Sequence, residues 1–185
     1  GANDASAFIS GGFGTVTMGD TDGAFDWAMI EANVVGGSIA DDETAHAGFT
    51  GNAGLDGDQD GQVLRWNYSM GAMGIAVSLE QDGNNGANTN DDATGFGLTY
   101  NLDAGGTSVT FGVGMQDASA TSDVTGFSVR AAMDNGFTIA ANMSDETTSA
   151  TTSVDRVGLG LGYSMNDLSV GINWGEATTS TTGAA

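Results

Sequence analysis

The chain has 185 residues, 24 of them acidic and three basic, for a formal net charge of −21, and it contains neither Pro nor Cys. That charge excludes nucleic acid and anionic membrane surfaces as partners, and the absence of Cys excludes disulfides and thiolate metal sites and leaves the redox compartment unread. Thirty-one glycines without a collagen period argue against a helical domain, and no apolar run reaches the roughly 18 residues of a transmembrane helix.

The dominant period along the chain is two, that of strands whose two faces differ. The first predicted strand, 6–10 (SAFIS), shows it least; it turns at Gly11-Gly12 into 13–19 (FGTVTMG), where Val16 and Met18 share a face. The stretch Asp20–Gln62 then breaks the pattern for 43 residues. It carries ten acids, one His (His46) and no Lys or Arg, yet Phe25, Trp27, Met29, Ile30, Val34, Val35 and Phe49 make it too apolar for simple disorder. A loop this long inside a compact domain normally has a task. The reading is a loop folded back inside a barrel to narrow a water-filled pore, with Phe25, Trp27, Met29 and Ile30 as one turn of helix anchored on the barrel wall.

Strands resume at 63–70, where Leu64, Trp66, Tyr68 and Met70 oppose Arg65, Asn67 and Ser69. A Gly71-Ala72 turn leads to 73–80, where Met73, Ile75, Val77 and Leu79 oppose Gly74, Ala76, Ser78 and Glu80. After a polar loop at 81–93, strands 94–102 and 107–116 are joined by a turn at 103–106. After a loop at 117–123, strands 125–133 and 137–144 are joined by Asp134-Asn135-Gly136, a strong hairpin signal. After a loop at 145–155, strands 156–165 and 168–175 are joined by Asn166-Asp167, and 176–185 is a final polar segment. The chain begins and ends in mid-pattern, as a mature protein or as a piece of a longer one, and shows no basic start followed by an apolar core, so no signal peptide is expected.

Two regularities go beyond a generic sheet. Short turns alternate with longer acidic loops, so an antiparallel meander places the short turns at one end and the long loops at the other, as in an outer-membrane barrel. On the apolar face, Tyr68, Tyr100, Phe137 and Tyr163 lie near short turns, and Phe96, Phe127 and Trp174 near long loops, with aliphatic residues between. That is two aromatic girdles around an apolar band. The alternative is a soluble β-sandwich with the apolar face as core, but its solvent face and edges would be rich in charge, whereas here that face is Gly, Ala, Ser, Thr and Asn with three Arg and one Glu. The expected fold class is therefore all-β: an antiparallel up-and-down transmembrane β-barrel, with residues 1–185 as one barrel segment and 20–62 inserted in it.

The stretch SAFISGGFGTVTMGDTDGA resembles the turn and strand before the constriction loop of general-diffusion porins of α-proteobacteria, the Rhodobacter type, and GFGLTYNL, GFSVRAAM, VGLGLGYSM and LSVGINW are similar to that family's strands in order. The resemblance implies a homotrimer of sixteen-stranded barrels in the outer membrane of a Gram-negative bacterium, each with its third long loop folded into the lumen. It implies passive diffusion of small hydrophilic solutes and ions, and no enzyme activity. Ten strands rather than sixteen make this chain the middle of a longer one in that reading.

Arg65, Arg130 and Arg156 are the only bases, and all fall on the small-residue face, as expected where an Arg on the lipid face at mid-bilayer costs roughly 2–4 kcal/mol. Two roles are open to them. They form a basic wall facing Asp26, Glu31, Asp41, Asp42 and Glu43 across a pore constriction, or they are ties that pair with the loop and fix it. Asp56, Asp58 and Asp60 match the first half of a D-x-D-x-D-G calcium loop, but the twelfth position is Asn67 on a strand. That excludes an EF-hand and leaves a simpler calcium site open; no cofactor is required. His46 has no Cys or Ser partner placed by pattern and reads as a solvated loop residue. On the two-face pattern, Val113→Arg or Leu161→Arg should block assembly, whereas Thr110→Ser or Gly160→Ser should be tolerated. The functional expectation is a cation-preferring diffusion channel; the alternative is a secreted acidic calcium-binding adhesin or surface-layer protein.

Overall fold

The computed structural model describes residues 5–34, 62–81, 92–118 and 122–182. Within them ten strands form one sheet whose spatial order is the sequence order. They are β1 (Ser6–Gly11), β2 (Gly14–Gly19), β3 (Gln62–Met70), β4 (Met73–Gln81), β5 (Ala93–Asp103), β6 (Thr107–Ala118), β7 (Ser122–Met133), β8 (Phe137–Ser149), β9 (Thr152–Met165) and β10 (Leu168–Thr181). Every neighbouring pair is antiparallel. Among the described residues β1 pairs only with β2 and β10 only with β9, so the sheet is an up-and-down meander left open along those two edges. One short helix, α1 (Ala24–Ala28), follows β2.

The alternation read from the sequence reappears in the burial, with the sign reversed from that of a soluble protein. On β4, Ala76, Ser78 and Glu80 are buried while Val77 and Leu79 are exposed; on β8, Ala140, Asn142 and Ser144 are buried while Ile139 and Met143 are exposed. Glu80 is 2% exposed and its neighbour Leu79 58%. A soluble sandwich puts the apolar face inside, so the burial rules that alternative out. A continuous exposed apolar face of this size suits a hydrocarbon surround.

The girdle residues take part in that outer face. Phe137 and Tyr163 stand opposite each other in the β8–β9 register with ring centroids 4.7 Å apart. Trp66 and Tyr68 stack on β3 at 6.1 Å, and the Trp66 indole N–H donates to the Phe13 carbonyl at 2.8 Å. Amphipathic rings of this kind belong at a membrane–water boundary, one edge apolar and the other wet. The short turns follow their residues: Gly136 takes a φ of +92° and its N–H donates to the Met133 carbonyl at 2.9 Å. Asn166, a residue tolerant of the left-handed region, takes φ +53° in the β9–β10 turn.

Two boundaries differ from the sequence reading. The first hairpin turns at Gly12-Phe13, one residue later than the glycine pair indicates, because Gly11 still pairs with Gly14. More substantially, the stretches read as loops at 117–123 and 145–155, and the polar segment after 175, are largely strand: β8 and β9 run to Ser149 and from Thr152, and β10 continues to Thr181. A tilted spanning strand needs about 9–11 residues, whereas β8, β9 and β10 have 13, 14 and 14. The extra residues are mostly Thr and Ser with Asp and Glu, which pair by backbone hydrogen bonds without an apolar face because water lies on both sides. The period-two signal disappears there although the ladder continues. Near the top of β8, Thr147 pairs with Ser153 and Ser149 with Thr152, so Thr148 is an extra residue in a β-bulge; its hydroxyl donates to the Thr152 carbonyl at 3.3 Å.

Candidate functional site

The segment after β2 lies on the small-residue face of the sheet. Helix α1 has no side-chain cap at Gly23 and ends at Met29, whose φ of −80° and ψ of 151° are extended. Five residues of helix are not stable alone; packing holds them. Ala24, Phe25, Ala28 and Ala32 are each 0–1% exposed. The helix turn read over Phe25–Ile30 is thus present over 24–28, and it anchors as expected.

The wall beneath it is made of glycine. Gly114 on β6 faces Gly126 on β7 in the register, and the Phe25 ring sits on the pair. A Cβ on Gly114 would lie 2.7 Å from Phe25 Cδ2, and one on Gly126 would lie 3.2 Å from Phe25 Cε2. The carbonyl oxygens of Ala24, Ala28 and Ala32, four residues apart, press on Gly97 of β5, Gly112 of β6 and Gly160 of β9, where any Cβ would overlap the oxygen. Glycine permits this approach of backbone to backbone. The contact at Gly160 corrects one expectation: Gly160→Ser would collide with the Ala32 carbonyl, because this face is covered rather than open to water.

Side-chain hydrogen bonds fix the same path. The Ala24 N–H donates to Ser78 Oγ of β4 at 2.8 Å, and the Ile30 N–H to Ser128 Oγ of β7 at 3.0 Å. Asn142 Nδ2 of β8 donates to the Ile30 carbonyl at 3.2 Å. Ser78 in turn donates to Glu80 Oε1 at 2.5 Å, and Gln116 Nε2 of β6 donates to Glu80 Oε2. The segment therefore crosses the wall from β3 to β9, satisfying its own polar groups with those of the wall, as buried polar groups require.

The three arginines separate into different environments. Arg65 is 9% exposed; its Nη1 donates to the Asp22 carbonyl at 2.7 Å and lies 3.5 Å from Asp22 Oδ2. It ties the wall to the loop, one of the two roles open to it. Arg156 pairs with Glu146, a residue of the neighbouring strand β8 and not of the long loop. Arg130 on β7 is exposed and has no ion pair among the described residues. Asp26 and Glu31 are half-buried within the covering segment. Asp41, Asp42, Glu43 and the Asp56, Asp58, Asp60 set lie outside the described residues; within the described residues no three His, Cys, Asp or Glu side chains come together as a metal site.

Beyond the apolar band, Asp145 of β8 and Asp155 of β9 face each other across the ladder. The hydrogen bond to Asp155, together with slight desolvation and the neighbouring charge, holds the Asp145 carboxyl above its ordinary 3.8. Sequence reasoning missed the Ser78–Glu80–Gln116 contacts and those of Ser128 and Asn142 with the Ile30 backbone. The available signal was size: Glu80, Gln116 and Asn142 are, with the three arginines, among the few larger polar residues on a face built mostly of Gly, Ala, Ser and Thr.

Residues 1–185 match the family model described as Gram-negative porin. The chain belongs to that family. A porin of Rhodobacter capsulatus is 36% identical over 92 residues, which are 49% of this chain and 30% of that protein. A solved structure named as a porin matches with a TM-score of 0.59 at 23% identity, covering 92% of this chain and 64% of the other. The chain thus spans less than two thirds of the relatives it matches. The family is one of channels rather than enzymes, as the resemblance implied, and nothing in these likenesses supports the adhesin alternative.

Proposed function

We propose that this chain forms a large part of the wall of an outer-membrane channel in a Gram-negative bacterium, through which small hydrophilic solutes and ions diffuse passively, with cations preferred. The observation that carries the reading is the inverted wall: an apolar face exposed as lipid requires, and a polar face on which the segment from Asp22 to Ala32 is laid. In this reading Asp20–Gln62 is the constriction loop and Asp26, Glu31, Asp41, Asp42 and Glu43 supply its charge. Arg130 is the wall charge that faces solute, while Arg65 and Arg156 serve as ties.

The loop carries ten acids against three basic residues in the whole chain. A negative, partly desolvated constriction concentrates cations and repels anions, and salt weakens this over a Debye length of about 8 Å at physiological ionic strength. The test is the reversal potential of the full-length protein in a planar bilayer under a KCl gradient. K⁺ should pass in preference to Cl⁻, less so as salt rises, and Arg130→Gln should strengthen the preference. Anion preference, or indifference to every loop and wall charge, would sink the reading.

The homotrimer and the closure of sixteen strands rest on the family resemblance, and the mass of the detergent-solubilised protein tests the former. Calcium at Asp56, Asp58 and Asp60 rests on their spacing alone. A melting temperature indifferent to a chelator would remove it.

A further inference from the structure

The start of the covering segment is held by a buried cluster that belongs to none of the charges above. Glu80 of β4 is 2% exposed, Gln116 3% and Ser78 4%. Ser78 uses both of its capacities: its oxygen accepts the Ala24 N–H at 2.8 Å and its hydrogen goes to Glu80 Oε1 at 2.5 Å. The second carboxylate oxygen accepts from Gln116 Nε2. The carboxylate also packs directly on Gly23, where an added Cβ would lie 2.7 Å from Glu80 Cδ. Burial of a carboxyl group is expensive unless its oxygens are satisfied, so this arrangement serves a purpose beyond filling the wall.

We infer that Glu80 is a positioning residue of the channel. It fixes the direction of the Ser78 hydroxyl and seats Gly23, and so sets where Ala24 and the first turn of α1 leave the wall. Through that point it sets how far the segment stands into the pore. The inference rests on the reading of Asp20–Gln62 as the constriction. A carboxylate is suited to the place because it accepts from both Ser78 and Gln116. An amide at position 80 accepts from Ser78 with its oxygen and then presents its own N–H₂ to Gln116, so Gln116 must turn its amide over to accept it, and both charge-assisted bonds become weaker neutral ones.

Exchange of the two partners keeps the geometry. In Glu80→Gln with Gln116→Glu, the amide at 80 accepts from Ser78 and donates to the carboxylate at 116. The experiment compares the full-length protein, Glu80→Gln, and the double exchange by hydrogen exchange of the peptide over residues 20–34 in detergent and by single-channel recording. Glu80→Gln should lose at least tenfold in protection at the Ala24 amide, with the strands unchanged, and show new sub-conductance levels. The double exchange should restore both.

Unchanged protection in Glu80→Gln, or loss of protection that the double exchange does not restore, overturns the positioning role. Lost and restored protection with a constant conductance supports the positioning role and overturns the constriction reading.

Discussion

Gly114→Ala probes the fit of the Phe25 ring against the wall. The new Cβ would stand 2.7 Å from Phe25 Cδ2, 3.1 Å from the Phe25 carbonyl oxygen and 3.2 Å from Phe25 Cα. Carbon pairs come to rest at about 3.5–4.0 Å, so the ring edge must retreat by about 1 Å. It has little room to turn, since Phe25 is fully buried and the same ring edge also lies on Gly126. The first turn of α1 must therefore lift as a unit, stretching the Ala24–Ser78 bond from 2.8 Å beyond useful length. Overpacking of this kind costs about 1–3 kcal/mol, and a lost hydrogen bond about 0.5–1.5 kcal/mol more. The thermal midpoint of the folded form on gels should fall, and single-channel conductance should change because the segment stands further from the wall. Phe25→Leu added to Gly114→Ala should recover most of both. Gly12→Ala is the control, since nothing lies within 4 Å of a Cβ there, and it should be silent. If Gly114→Ala keeps the wild-type midpoint and conductance, the segment does not rest on this glycine pair.

Val113→Arg and Leu161→Arg place a charge on the exposed apolar face, at roughly 2–4 kcal/mol each near the bilayer midplane, and should abolish assembly into liposomes, whereas Thr110→Ser should assemble normally. Glu146→Ala leaves Arg156, whose side chain is 18% exposed, without its partner among the described residues; the upper β8–β9 hairpin should lose hydrogen-exchange protection, and Arg156→Met with Glu146→Leu should regain most of it. The raised carboxyl of Asp145 makes a stabilising contribution that is complete below its ordinary 3.8 and disappears as pH rises through its higher folded value. After correction for intrinsic rates, exchange over residues 144–156 should therefore slow on acidification in the wild type and respond much less in Asp155→Asn.

The fold was legible because a membrane barrel writes both of its faces into a period of two. Val77 against Ser78 and Leu159 against Gly160 state the wall directly, and Asp134-Asn135-Gly136 and Asn166-Asp167 state its turns. The strand ends were not legible. Above the apolar band both faces meet water, so Thr147 and Ser153 pair through backbone alone and carry no alternation. The site was half legible. Arg65 and the Phe25–Ile30 anchor could be picked out by type, but which base pairs with the loop depends on register: Arg156 meets Glu146 because β8 and β9 align Arg156 with Ser144. From the sequence the wall glycines read as an open face on which Gly160→Ser would be tolerated. Only the alanines at 24, 28 and 32 indicated that a backbone lies on them, and that spacing is too common to carry the inference alone.

The bulge at Thr148 has a consequence for how this chain can vary over evolutionary time. Inserting or deleting one residue in a strand moves all later side chains to the opposite face. At position 139 or 159 that would turn Ile or Leu toward the pore and Gly or Thr toward lipid. Near the tip of β8 and β9 the odd residue is already absorbed, and the rows from Glu146 and Val154 downward stay aligned. Single-residue length changes over 148–151 should therefore accumulate freely, so that this end of the sheet can be remodelled without disturbing the rows of the apolar band.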